Sequence, residues 1–272
     1  MAVLRILSFY QEKWGFRTAP RNLAIRFRTQ VRADRLHPEL VAVLAEAGWF
    51  ATSIGIENGS PTALKRMKKS ATLQDNVNAL AMLQQHRVYV QMGMILFDQV
   101  TTMTELRENH SFLSSLNWPV TKGIFTEMYA AEGTPFSELL SAQGRVLDSN
   151  FGNRQYRREH PRVEEVYRAL RAWHQSHCQI YDHAINPISA PKAIPSAGYD
   201  EYRGLCIRLH RWDVEFFGDV LDLVERSTGA IDDFVADRIR VSVPMYNRVL
   251  ESLLTLDVKY GLSYTAQPNK FL

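Results

Sequence analysis

The sequence predicts an α/β fold: a parallel sheet flanked by helices, followed by a helical C-terminal region. Three observations predict it. Strand-like and helix-like patterns alternate from about residue 24 to 130. Strand patterns give out after about residue 150, where long amphipathic stretches take over. Finally, 46% hydrophobic and 22% charged residues in a chain of 272 suit a globular protein with a substantial core.

In order, AIRFRTQV (24–31) reads as a strand through its alternating Ile25, Phe27 and Val31. PELVAVLAEAG (38–48) reads as a helix opened by Pro38 and stopped at Gly48. WFATSIGI (49–56) is a buried strand. A short helix over 61–67 follows, then a longer one that Thr72 caps and that ends near His86. VYVQMGMILF (88–97) is the next strand, Thr102 to Leu116 a helix, and GIFTEMYA (123–130) another strand. Successive strand–helix–strand units imply a parallel sheet, either part of a barrel or an open doubly wound sheet. The aromatic residues Trp49, Phe50, Tyr89, Phe97, Phe125 and Tyr129 fall on strands and are expected in the core.

The arginine-rich stretch 148–162 reads as a linker or exposed loop. From 161 to 185 a strong helix carries Val163, Val166, Tyr167, Leu170 and Trp173 on one stripe. Pro187, Pro191, Pro195 and Gly198 predict a loop over 186–198, before two helices at about 199–227 and 231–257. The expected division is a partial barrel over 1–150 and a helical region over 151–272. No internal repeat is visible.

A net charge of +3 is too small to argue for nucleic acid, and the basic opening segment, Arg5 through Arg35, reads first as a solvated face. The longest apolar run is far below a membrane span, and Met1 to Gly15 fails as a secretory signal because Arg5 interrupts a very short apolar stretch. Cys178 and Cys206 form neither a disulfide framework nor a paired-cysteine zinc site, so a reducing cytoplasm is the expected compartment. GxSxG, GxxxxGK[ST] and GxGxxG are absent. His174, His177 and Cys178 lie near one helix face, and with Asp182 or His183 they have the chemistry to hold zinc or copper; the competing reading is a helix whose polar residues happen to include histidine.

The most informative stretch is Ile54 to Ser70. A buried strand ends in Gly55-Ile56-Glu57, Asn58-Gly59-Ser60 turn the chain, and Pro61 opens a helix that returns Lys69 toward the same rim. In parallel α/β folds functional side chains gather at such carboxyl ends. A carboxylate beside a lysine is also an ordinary ion pair.

RTQVRADRLHPELVAVLAEAG, IGIENGSPTALKRMKKSAT and VYVQMGMILFDQVTTMTELRENHSFL, with EGTPFSELLSAQGRV and the HPRVEEVYRAL helix, closely resemble radical S-adenosylmethionine (SAM) enzymes, especially their cobalamin-associated branch. The resemblance covers about residues 24–172. It implies a parallel (β/α) barrel that binds SAM at the carboxyl ends of its strands. Gln30 then looks like the polar side chain facing SAM, Glu57 like the group that bonds its ribose, and Lys69 like the base that reaches its carboxylate. Gly93 stands where an acidic residue is common. The family's CxxxCxxC motif, which holds three irons of a 4Fe–4S cluster through soft thiolates, has no counterpart; Met1 and Leu4 align with its last two cysteines. One to two βα units also look absent between Asn22 and Ile25.

The resemblance therefore implies an incomplete barrel of about five strands and a truncated or degenerate relative of enzymes that cleave SAM reductively to a 5′-deoxyadenosyl radical. Cobalamin, as methyl carrier, belongs only to a longer parent. Two other readings stay open: a SAM- or nucleotide-binding module without redox chemistry, and a structural partner that completes another chain's barrel, with self-association covering the open edge.

Overall fold

The computed structural model describes residues 26–119, 124–150, 152–189, 194–226 and 231–262. Residues 1–25, with Met1, Leu4, Ile25 and four of the eight basic residues of the opening segment, lie outside them, as does Pro191.

β1 (Phe27–Arg32) alternates half-buried Phe27, Thr29 and Val31 with exposed Arg28, Gln30 and Arg32. After a short 3-10 turn, α1 (Pro38–Glu46) begins with Pro38 in its first turn, and the His37 ring accepts from the Leu40 N–H. Gly48, at φ 100, makes the turn into β2 (Trp49–Glu57). Ser60 caps α2 (Pro61–Arg66). Thr72 with Asp75, and Thr102 with Glu105, form capping boxes on α3 (Leu73–Gln85) and α4 (Met103–Ser114). β3 (Tyr89–Met94) completes a parallel sheet of order β1-β2-β3. Thus the parallel βα alternation read from sequence is present.

Among the described residues this sheet has three strands, against the five expected. β3 stops at Met94, short of the expected Phe97: the Ile95 N–H makes a last bond to the Glu57 carbonyl of β2 at 2.5 Å, but the Ile95 carbonyl is taken by Asn58 Nδ2 at 2.7 Å. The expected strand 123–130 is reduced to one parallel bridge, Phe97 to Glu127. There the Leu96 and Phe97 N–H groups share the Thr126 carbonyl, so no regular ladder propagates.

α5 (Pro135–Ala142) leads into a hairpin of β4 (Val146–Asn150) and β5 (Asn153–Tyr156). This replaces the linker expected after residue 148. Tyr156 and Arg158 are buried at 2% and 4% exposure. Arg158 lies over the Tyr167 ring and pairs with Glu127 and Glu164, which offsets its desolvation. Tyr129, expected in the core, is 46% exposed and donates to the Gly152 carbonyl at the hairpin tip.

α6 (Pro161–Ser189) runs through Pro187, where a loop was expected. The proline forfeits a single N–H bond in the last turn, while Ala184 and Ile188 are buried and Arg28 bonds the Ile188 carbonyl. α7 (Ser196–Arg226) and α8 (Ile231–Tyr260) complete the helical region. One apolar cluster joins Ile54, Tyr89 and Phe97 of the sheet region to Trp173, Phe217 and Leu253 of these helices. No described helix is long and apolar enough to cross a membrane.

Gly59 packs tightly against α4: a β-carbon there would stand 2.7 Å from Phe112 Cβ. Gly59→Ala is expected to cost about 1–3 kcal/mol by overpacking. Urea denaturation measures this, and an unchanged midpoint would refute the close approach.

Candidate functional site

Side chains alternate across a sheet, so residues in register share a face. Gln30, Ser53 and Gln91 are in register across the three strands, and Ser53 Oγ donates to Gln91 Oε1 at 3.2 Å. Two residues earlier on the same face, Arg28 bonds the Ile188 carbonyl and Tyr89 Oη bonds the Ala184 carbonyl. The end of α6 thereby covers the amino-terminal half of this face. Toward the carboxyl ends come Arg32, Gly55 and Gly93, also in register, and Gln30 and Gly93 are exposed. The opposite face carries Val31, Ile54 and Ile56 toward the core.

Glu57 ends β2 in a left-handed conformation, φ 68, unusual for a residue with a side chain. A register shift between Gly55 and Glu57 accompanies it. Lys69 Nζ donates to Glu57 Oε1 at 2.8 Å, with the two side chains 39% and 23% exposed. The carboxylate folds back over Gly55, where a β-carbon would stand 2.7 Å from Oε1. Arg32 is paired with Asp34 at 2.9 Å. The structure therefore brings Glu57 and Lys69 into contact, with Gln30 on the same sheet face.

A buried polar network fixes the turn after Glu57. Asn58 Oδ1 accepts from the Ser60 N–H and from Asn109 Nδ2, while Asn109 Oδ1 accepts from the Gly59 N–H at 2.7 Å. Asn76 Nδ2 donates to the Ile56 carbonyl. Arg66 bridges Asp98 at 2.8 Å and Glu105 at 2.6 Å, and Thr62 donates to Glu105. Burial acts to raise the Glu105 carboxyl, but Arg66 and the cap bonds prevail and hold it below its ordinary value. Backbone strain of this kind persists where the surroundings over-determine it, and such strain clusters at ligand clamps and active sites.

Sequence reasoning missed Ser53, Gln91, Arg66, Asp98, Glu105 and Asn109. The available signal was Ser53 and Gln91 as polar residues inside otherwise apolar strands.

The helical segment 174–183 does not converge on a metal. The His177 ring contacts the Trp173 carbonyl at 2.8 Å and Ser242 Oγ at 3.0 Å, and burial lowers its pKa to about 4. His174 stacks on Tyr181, and His183 pairs with Asp257 at 2.7 Å. Among the described residues no group of three metal-ligating side chains forms. Cys206 on α7 is buried against the Ala184 carbonyl, which pushes its thiol up to about 12, whereas Cys178 lies on α6. Two thiols on separate helices, one of them held protonated by burial, do not fit the three-thiolate donor set of a 4Fe–4S cluster.

No protein-family profile matches the sequence, and no curated protein is similar to it at the sequence level. Among solved structures, the chain is similar to the cobalamin-dependent SAM radical enzyme OxsB with aqua-cobalamin bound. The TM-score is 0.54 at 17% identity, over 91% of this chain and 45% of that one. The same enzyme with aqua-cobalamin and SAM bound gives 0.53 at 15%, over 90% and 48%. The radical SAM methyltransferase TsrM from Kitasatospora setae gives 0.42 at 14%, over 55% and 28%. The likeness is one of fold, and the chain spans less than half the length of these structures.

Proposed function

We propose that the carboxyl-terminal half of this sheet face binds SAM, and that the chain is part of a radical-SAM-type barrel not competent for radical chemistry through its own residues. The observation that carries the reading is the Glu57–Lys69 pair, held on strained backbone at the end of a parallel strand and facing the same side as Gln30. Glu57 accepts from ribose hydroxyls. Lys69 turns from Glu57 to the carboxylate of the methionyl group, so ligand replaces the internal ion pair with two charge-assisted contacts. Gln30 supplies a neutral polar contact. Likeness to an enzyme solved with SAM supports the choice of ligand.

Any cluster that would donate an electron to SAM needs thiolates from outside this chain, since Cys178 and Cys206 do not fit. Cobalamin is bound in the similar enzyme OxsB.

Titration calorimetry with SAM tests the reading. Wild-type protein is expected to bind, with Glu57→Ala and Lys69→Ala each weakening affinity about 10–100-fold, the value of a hydrogen bond to a charged group. Unchanged affinity in both variants would sink the assignment.

A further inference from the structure

We infer that the row Gln30, Ser53 and Gln91 is a base-reading subsite for the purine ring of a nucleoside whose ribose sits at Glu57. This inference rests on the SAM-binding reading and goes beyond it by assigning what the sheet face beneath Glu57 recognises.

The spacing comes first. The Glu57 carboxylate lies in the Gly55 layer of the face, 2.7 Å from where a Gly55 β-carbon would stand. The Gln30–Ser53–Gln91 row is one same-face step nearer the amino ends, two residues of strand or roughly 6.6 Å away. That is the reach from the hydroxyls of a ribose to the edge of its base.

The floor beside Glu57 is open at Gly93. Gly55 and Gly93 are in register on adjacent strands; the Glu57 carboxylate lies over Gly55, while Gly93 carries no side chain over it. Packing does not demand glycine at position 93, where a β-carbon would make only an ordinary 3.5 Å contact with the Ile54 carbonyl. The missing side chain leaves an open surface on which a planar ring can lie.

The chemistry of the row is neutral and directional. Ser53 Oγ donates to Gln91 Oε1, so the Gln91 carbonyl is engaged and its amide nitrogen is presented as a donor. Gln30 is exposed and makes no hydrogen bond to a described neighbour, which leaves its carbonyl and amide side by side. An amide pairs bidentately with the amino group and N7 of adenine, and such a pair discriminates strongly between bases. Donors and acceptors without charge favour a base over a phosphate or carboxylate.

Calorimetry with adenosine and inosine tests this, because inosine replaces the exocyclic amino donor with an acceptor. Wild-type protein is expected to bind adenosine about tenfold or more tightly than inosine. Gln30→Leu should bring that ratio close to one, and Gln91→Leu should weaken both nucleosides together. Gln30 is exposed, so its replacement should leave the melting temperature unchanged, and Gln30→Glu, which keeps the acceptor and loses the donor, supplies a second variant. A ratio near one in the wild type, or a ratio unmoved by Gln30→Leu, overturns the base-reading row alone. Adenosine affinity unmoved by Glu57→Ala overturns the underlying ribose assignment. Absence of binding by either nucleoside overturns both.

Discussion

Arg66→Met is expected to remove about 3–5 kcal/mol of stability, because it strands two buried carboxylates without their cation. Asp98 and Glu105 have side chains 3% and 6% exposed, and Arg66 bridges them. The arginine is itself held firmly in its charged form: burial works against the charge, but the bonds to Glu105 and Asp98 raise its pKa. In the wild type Glu105 has a lowered folded-state pKa, so its contribution is present above the unfolded value of about 4.5 and is lost as pH falls through the folded one. In the variant burial is opposed only by the bonds from Thr102 and Thr62, so ionised Glu105 is less favoured in the folded state at neutral pH. The deficit of Arg66→Met should therefore shrink on acidification toward pH 4. Urea denaturation at pH 7 and pH 4.5 measures both parts. A loss below about 1 kcal/mol at pH 7, the scale of an exposed ion pair, would show that the network is solvated.

Asp213→Asn is expected to flatten the pH dependence of stability between about pH 4 and 6. Asp213 is fully buried, and Trp173 Nε1, Tyr181 Oη and Tyr246 Oη all donate to its Oδ1, at 2.7, 2.8 and 2.7 Å. Its Oδ2 is buried without a partner. Burial pushes the carboxyl up to about 6, only partly opposed by the three donors. The folded state then binds a proton more tightly than the unfolded state, whose value is about 3.8. Stability is full below about pH 4, falls as pH rises to about 6 and is level above, a loss of ~3 kcal/mol. The amide keeps an oxygen for the donors and does not titrate, so it should gain on the wild type as pH rises through this window. Parallel urea midpoints for the two proteins at pH 4.5 and pH 7 would contradict the assignment.

Much of the parallel unit was legible because its signals are local. Thr72 caps the helix it was expected to cap, Ser60 caps the helix that Pro61 opens, Thr102, read as the first helical residue, is the cap itself, and Gly48 stops α1. Glu57 and Lys69 were legible as a pair because a strand, a turn and a short helix fix their separation. What sequence could not show depends on partners far along the chain. Arg158 reads as solvated until Tyr167 and Glu127 enclose it. Pro187 reads as a helix stop until Arg28 and Asn186 anchor the last turn of α6. The Gln30–Ser53–Gln91 row exists only through strand register, and three separated polar residues do not announce it. The same holds for Asn109, which reaches Asn58 and Gly59 across some fifty positions.

If SAM occupies the face marked by Glu57 and Lys69, a structure of the protein crystallised with SAM will show it there. The ribose hydroxyls are expected on the Glu57 carboxylate and the methionyl carboxylate on Lys69 Nζ, with the 2.8 Å contact between the two side chains opened. SAM bound elsewhere, or SAM present with that ion pair still closed, would contradict it.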